Sequence, residues 1–133
     1  MRFDLIDRVI EQDESRLVAC KNVTAAEEYL ADHFPGFPVL PGVMMLETLV
    51  QAARKLVGQS EGSPAAPLIV DQVRNVRYGN MVRPGETLQV EVTLKKADRE
   101  SEKPTWEFTG VGKVKDQVAV QDKFRLTPLG KDD

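Results

Sequence analysis

Residues 43–57, VMMLETLVQAARKLV, constrain the fold more than any other stretch of this chain. Met, Leu, Ala, Glu, Gln, Arg and Lys favour helix intrinsically, and Pro41-Gly42 stands where a helix start tolerates proline. At 3.6 residues per turn Val43, Leu46, Val50, Ala53 and Val57 form one apolar stripe, with Met45, Leu49, Ala52 and Leu56 beside it. So wide an arc needs cover on most of its sides. Lys55 and Gly58 suit the C-terminal end, where a cation complements exposed carbonyls and glycine takes the terminating turn.

The cover has to come from strands. Segments 3–12 (FDLIDRVIEQ) and 16–23 (RLVACKNV) are rich in β-branched residues and joined across Asp13, Glu14 and Ser15. Residues 58–67 read as a loop from their glycine, serine and proline. Beyond it the pattern has period two: 68–78, 87–97 (Leu88, Val90, Val92 and Leu94 on one face), 105–115 (Trp106, Phe108, Gly110, Gly112, Val114) and 117–126 (Val118, Val120, Phe124, Leu126). RPGE at 83–86 is a turn, and residues 115–117 suggest a tight hairpin, so the last three strands should pair antiparallel. The economical solution is α+β: a curved antiparallel sheet wrapped around one long central helix of about 42–58, in a single domain of 1–133 with a flexible tail at about 129–133.

Composition removes several function classes. Of 133 residues 41% are hydrophobic and 29% charged, as in an ordinary globular domain, and the net charge of −3 argues against nucleic acid as the main ligand. Cys20 is the single cysteine, so no intrachain disulfide or cysteine-based zinc site can form, which fits a reducing cytoplasm. Asp4, Asp7 and Arg8 interrupt the start of the chain where a signal peptide would be apolar, and no run approaches the roughly 18 apolar residues of a membrane span. A cytoplasmic protein is expected.

The candidate chemistry lies in HFPGFPVLPGVMMLE, 33–47. His33 is the only histidine, and Pro35, Pro38 and Pro41 restrict the ten residues that follow it, while Gly36 and Gly42 permit turns and close backbone approach. A rigid loop feeding a helix start holds an imidazole there at little entropic cost. The first helical N–H groups, around Gly42 and Val43, have no intrahelical acceptor and can polarise a carbonyl. Glu47 has an ordinary account as well: with Thr48, Gln51, Arg54, Lys55 and Gly58 it lies on one side of the helix, the pattern of a solvated edge.

Residues 33–53, HFPGFPVLPGVMMLETLVQAA, resemble the active-site segment of FabZ-type β-hydroxyacyl-[acyl carrier protein] dehydratases, with His33, Phe34, Pro35, Gly36, Pro38, Pro41, Gly42, Glu47 and Gln51 in register. FDLIDRV near the start and VRYGNMVRPGETLQVEV (76–92) resemble further parts of that family. The resemblance implies a hotdog fold and a dehydratase (hydro-lyase) of fatty acid biosynthesis that acts on acyl carrier protein bearing a (3R)-3-hydroxyacyl chain. It needs no cofactor and no metal. It implies a homodimer whose sites are shared between subunits, or a trimer of such dimers, with Glu47 facing the partner. His33 would be general base and Glu47 the acid, with substrate contacts at Gly42, Val43, Phe34 and Gln51.

Phe37, Asp32 and the RKL of 54–56 depart from the family pattern. Arg74, Arg77, Arg83, Lys95, Lys96 and Arg99 make 74–99 locally basic, as an acidic carrier or merely solvated strands would require. A hotdog acyl-thioesterase, a FabA-type dehydratase-isomerase and a non-catalytic acyl-binding hotdog module remain the alternatives.

Overall fold

The computed structural model describes residues 5–23, 40–58 and 67–129. The apolar segment forms one helix, α1 (Gly42–Gly58), preceded by β1 (Arg8–Gln12) and β2 (Arg16–Asn22). After it come β3 (Leu68–Tyr78), β4 (Thr87–Asp98), β5 (Thr105–Val114) and β6 (Gln117–Pro128). Their order in the sheet is β1-β2-β4-β5-β6-β3, with every pair antiparallel. The expected α+β architecture is therefore present, and the last three strands pair as their alternation requires. Of the tail at 129–133, only Leu129 is among the described residues, and its N–H bonds Pro67 C=O at 2.8 Å.

The helix packs on one face of the sheet because the strands alternate. Leu88, Val90 and Val92 of β4, Trp106 and Phe108 of β5, and Val120, Phe124 and Leu126 of β6 are buried around Leu49, Ala52, Ala53, Leu56 and Val57. The Phe108 and Phe124 rings stack at 5.4 Å and 17°. Gly110 lies under Leu49: a Cβ there would stand 3.2 Å from a Leu49 methyl and 2.9 Å from Asp122 Oδ1. An alanine there would force the Asp122 and Leu49 side chains to shift.

Three local expectations need correction. Among the described residues the first strand begins at Arg8 and not at Leu5, since Leu5 and Ile6 turn into the core and the Leu5 N–H bonds Gln51 Oε1 at 2.7 Å instead of a neighbouring strand; residues 3 and 4 lie outside the described residues. Thr48, placed on the solvated helix edge, is fully buried, and its hydroxyl donates to Met44 C=O at 2.7 Å, which satisfies it without water. Val43, placed on the apolar stripe, is 67% exposed because it sits at the open first turn, beyond the cover of the sheet.

The β5–β6 connection is a two-residue turn, Lys115 (φ 50°) and Asp116 (φ 65°), closing the Val114–Gln117 pair. Such turns need positive φ at both positions, which glycine takes without steric cost. Asp116→Gly should therefore raise stability by about 0.5–1 kcal/mol, seen as a higher urea midpoint at unchanged slope. A lower midpoint would show that the aspartate makes a turn contact worth more than the strain.

Candidate functional site

The start of α1 is set by the chain on either side of Pro41. Leu40 N–H bonds Val82 C=O at 2.7 Å, and Pro41 C=O accepts from Met44 at 3.0 Å and Met45 at 3.2 Å. Among the described residues nothing accepts the Gly42 and Val43 N–H groups, which stand at the positive end of the helix. A Cβ at Gly42 would meet the Tyr78 ring at 2.8 Å, so any larger residue there would have to displace that ring. Tyr78, half-exposed at the end of β3, thus lies over the helix start, a neighbour that its distance in sequence concealed.

Glu47 lies one turn further along α1. Its side chain is 42% exposed, so it belongs neither to the core nor to a fully solvated edge. Its Oε1 receives Gln51 Nε2 at 3.4 Å and Arg54 Nη1 at 3.4 Å. The Gln51 amide is oriented by the Leu5 N–H, which donates to its oxygen at 2.7 Å. Arg54 was visible only as one more polar residue on the same helix side, and its i, i+7 spacing from Glu47 was the available signal. His33 and Phe34 lie outside the described residues.

Asp122 was not anticipated. It occupies an inward position of β6 between Val120 and Phe124, is 5% exposed, and its Oδ1 has no hydrogen-bond partner among the described residues. Gly110 pairs with it on one side. On the other, Asn75 (φ 56°) and Val76 bulge past it, because the β3–β6 register slips between Arg74 and Arg77. Burial pushes its carboxyl up to about 7. Burial, then the Asp122 charge, also raises the Tyr78 phenol above its ordinary value, so that hydroxyl remains a donor at neutral pH.

On the outer face of the sheet, Arg74, Lys95, Lys96, Lys123 and Arg125 line a groove of about 300 Å³ together with Glu107. Arg125 also makes a two-pronged pair with Asp71, both contacts at 2.9 Å. Among the described residues no helix is long and apolar enough to cross a membrane.

Comparison with known proteins places this arrangement. Residues 1–123 match the family model described as "FabA-like domain". A curated relative from Coxiella burnetii (strain RSA 331 / Henzerling II), named 3-hydroxyacyl-[acyl-carrier-protein] dehydratase FabZ, is 43% identical over 122 residues, covering 88% of this chain and 82% of its own. The chain belongs to the FabA-like family, among its FabZ dehydratases. A second FabZ, from Thermus thermophilus, is 40% identical over 126 residues, covering 94% of this chain and 82% of its own. Among solved structures, the dehydratase heterocomplex ApeI:P from Xenorhabdus doucetiae has a TM-score of 0.70 at 19% identity, covering 97% of this chain and 85% of that one. Thioesterase superfamily member 2 from Mus musculus has a TM-score of 0.64 at 10% identity, covering 90% and 79%. These two likenesses establish the hotdog fold, which dehydratases and thioesterases share. The choice of FabZ rests on the sequence relatives.

Proposed function

We propose that this chain dehydrates (3R)-3-hydroxyacyl-[acyl carrier protein] to trans-2-enoyl-[acyl carrier protein] in fatty acid biosynthesis, in the cytoplasm. The observation that carries this reading is the 43% identity to a FabZ over 88% of the chain. His33 removes the proton from the α-carbon as general base. The Gly42 N–H, with Val43 beside it at the helix start, bonds the thioester oxygen as negative charge builds there. The α-carbon electrons form the new double bond, the bond from the β-carbon to oxygen breaks, and Glu47 delivers a proton so that water leaves. Phe34 lines the substrate path and Gln51 steadies Glu47.

The working unit is a homodimer with sites shared between copies, or a trimer of such dimers. Two features support this. Among the described strands β3 is bonded on one side only, to β6, and it exposes Val73, Val76 and Tyr78. Val43 and Met81 add to that apolar surface, which a second chain would cover. The carrier is acidic, and the basic groove around Lys95, Lys96 and Lys123 offers it complementary charge.

The test is hydration of a crotonyl thioester by purified protein, followed by loss of the enoyl absorbance. Hydration without release of free thiol is expected. Thiol release in its place would make the protein a thioesterase, and binding with neither reaction would make it an acyl-binding module.

A further inference from the structure

We propose that Arg54 is the positioning residue of the Glu47 carboxyl group, holding Oε1 so that Oε2 is the oxygen that presents the proton to the substrate. This rests on the role given to Glu47 above. Glu47, Gln51 and Arg54 stand at i, i+4 and i+7 and so share one face of α1. Gln51 Nε2 and Arg54 Nη1 both reach Oε1, each at 3.4 Å, whereas Oε2 has no partner among the described residues.

Neither donor can drift with the carboxylate, because each is tied to the backbone of a different segment. Gln51 Oε1 holds the Leu5 N–H at 2.7 Å, ahead of β1. Arg54 Nε donates to Leu68 C=O, the first residue of β3, at 2.9 Å. The guanidinium is planar with its donors in a fixed fork, so the Leu68 contact sets the direction in which Nη1 points. A glutamate side chain has three rotatable bonds, and this two-point grip removes most of their freedom before substrate arrives. Stability is a poor reason for the arrangement. The Arg54 and Glu47 side chains are 39% and 42% exposed, and ion pairs that open to water add little to folding. A lysine has donors enough for Leu68 and Glu47 but no rigid fork, so its contact with one would not fix the direction of the other.

The test is a double-mutant cycle on the full chain. Arg54→Met should lower kcat about 10-fold or more with KM within about twofold, since a misdirected acid affects the chemical step rather than binding. Arg54→Lys should fall between Met and wild type. Glu47→Gln/Arg54→Met should be no slower than Glu47→Gln alone, because Arg54 acts only through Glu47. Rate losses that multiply, or an unchanged kcat in Arg54→Met, overturn the proposal. A second readout does not depend on turnover: nitrogen-15 spectra should show separate Arg54 Nη signals that merge in Glu47→Ala, as guanidinium rotation is freed. If wild type shows no dehydration, the functional reading falls, and the grip on Glu47 is judged by those signals alone; signals that do not respond to Glu47→Ala overturn it.

Discussion

Glu47→Gln should lower kcat for dehydration by about 10²–10⁴-fold, and His33→Ala should do the same, the range observed when a general acid or base is removed. The glutamine keeps the size of the side chain and an oxygen for Gln51 and Arg54 to hold, but it has no proton to deliver. Glutamine is a good helix former and position 47 is only partly covered, so stability should stay within about 0.5 kcal/mol of wild type. Loss of activity would then belong to the chemistry. Enoyl absorbance followed in both directions, with circular dichroism on the same samples, makes the measurement. Full activity in either variant removes that residue from the mechanism.

Asp122→Asn should abolish most of the change in stability between pH 4 and pH 7. In the folded chain the Asp122 carboxyl is pushed up to about 7, while in the unfolded chain it ionises near 4. Between those values the folded state holds a proton that the unfolded state has released, so stability falls as pH rises through this window and levels off above it. A difference of about three pH units corresponds to roughly 4 kcal/mol at most. At pH 8 Asp122→Asn should exceed wild type by about 2–4 kcal/mol, and at pH 4 the two should nearly match. Asp71 and Glu86 act in the opposite sense. Hydrogen bonds from Arg125 to Asp71 and from the Arg83 backbone to Glu86 lower their values, so their contribution is present above the ordinary carboxylate range and is lost as acid protonates them. Together these groups make stability fall on the alkaline side through Asp122 and on the acid side through Asp71 and Glu86. Urea unfolding across pH 4 to 8.5 checks the sign, and a wild-type curve rising over that range would show Asp122 ionised well below 7.

The helix was legible because it had to be both strongly helical and apolar over most of its circumference. The strands were legible because Leu88, Val90 and Val92, or Trp106 and Phe108, alternate without exception. Their neighbours were not. β2 pairs with β4 and β3 with β6 across long separations, and period-two alternation records which face is buried but not which strand lies alongside. The same reason hid Tyr78 above Gly42. Asp122 did leave a trace, as the one acidic residue at an inward position of β6, but alternation alone does not show whether such a residue finds a partner. At the site, the i, i+4, i+7 spacing put Gln51 and Arg54 on the side of Glu47. Their anchors at Leu5 and Leu68 come from other segments and needed the fold to appear.

The order of strands also dictates a sequence of events. β4, β5 and β6 join neighbours through short connections and can zip from contacts that are local in the chain. The two-residue turn at Lys115 and Asp116 closes the shortest loop among the described strands, so the benefit of Asp116→Gly should appear as faster folding rather than slower unfolding. β3 must instead cross from the end of the helix to β6, and the N-terminal pair must reach β4, at a far larger loss of chain entropy. Leu5 and Leu68 belong to those late arrivals. Gln51 and Arg54 should therefore gain these anchors beside Glu47 only once both ends of the sheet have closed.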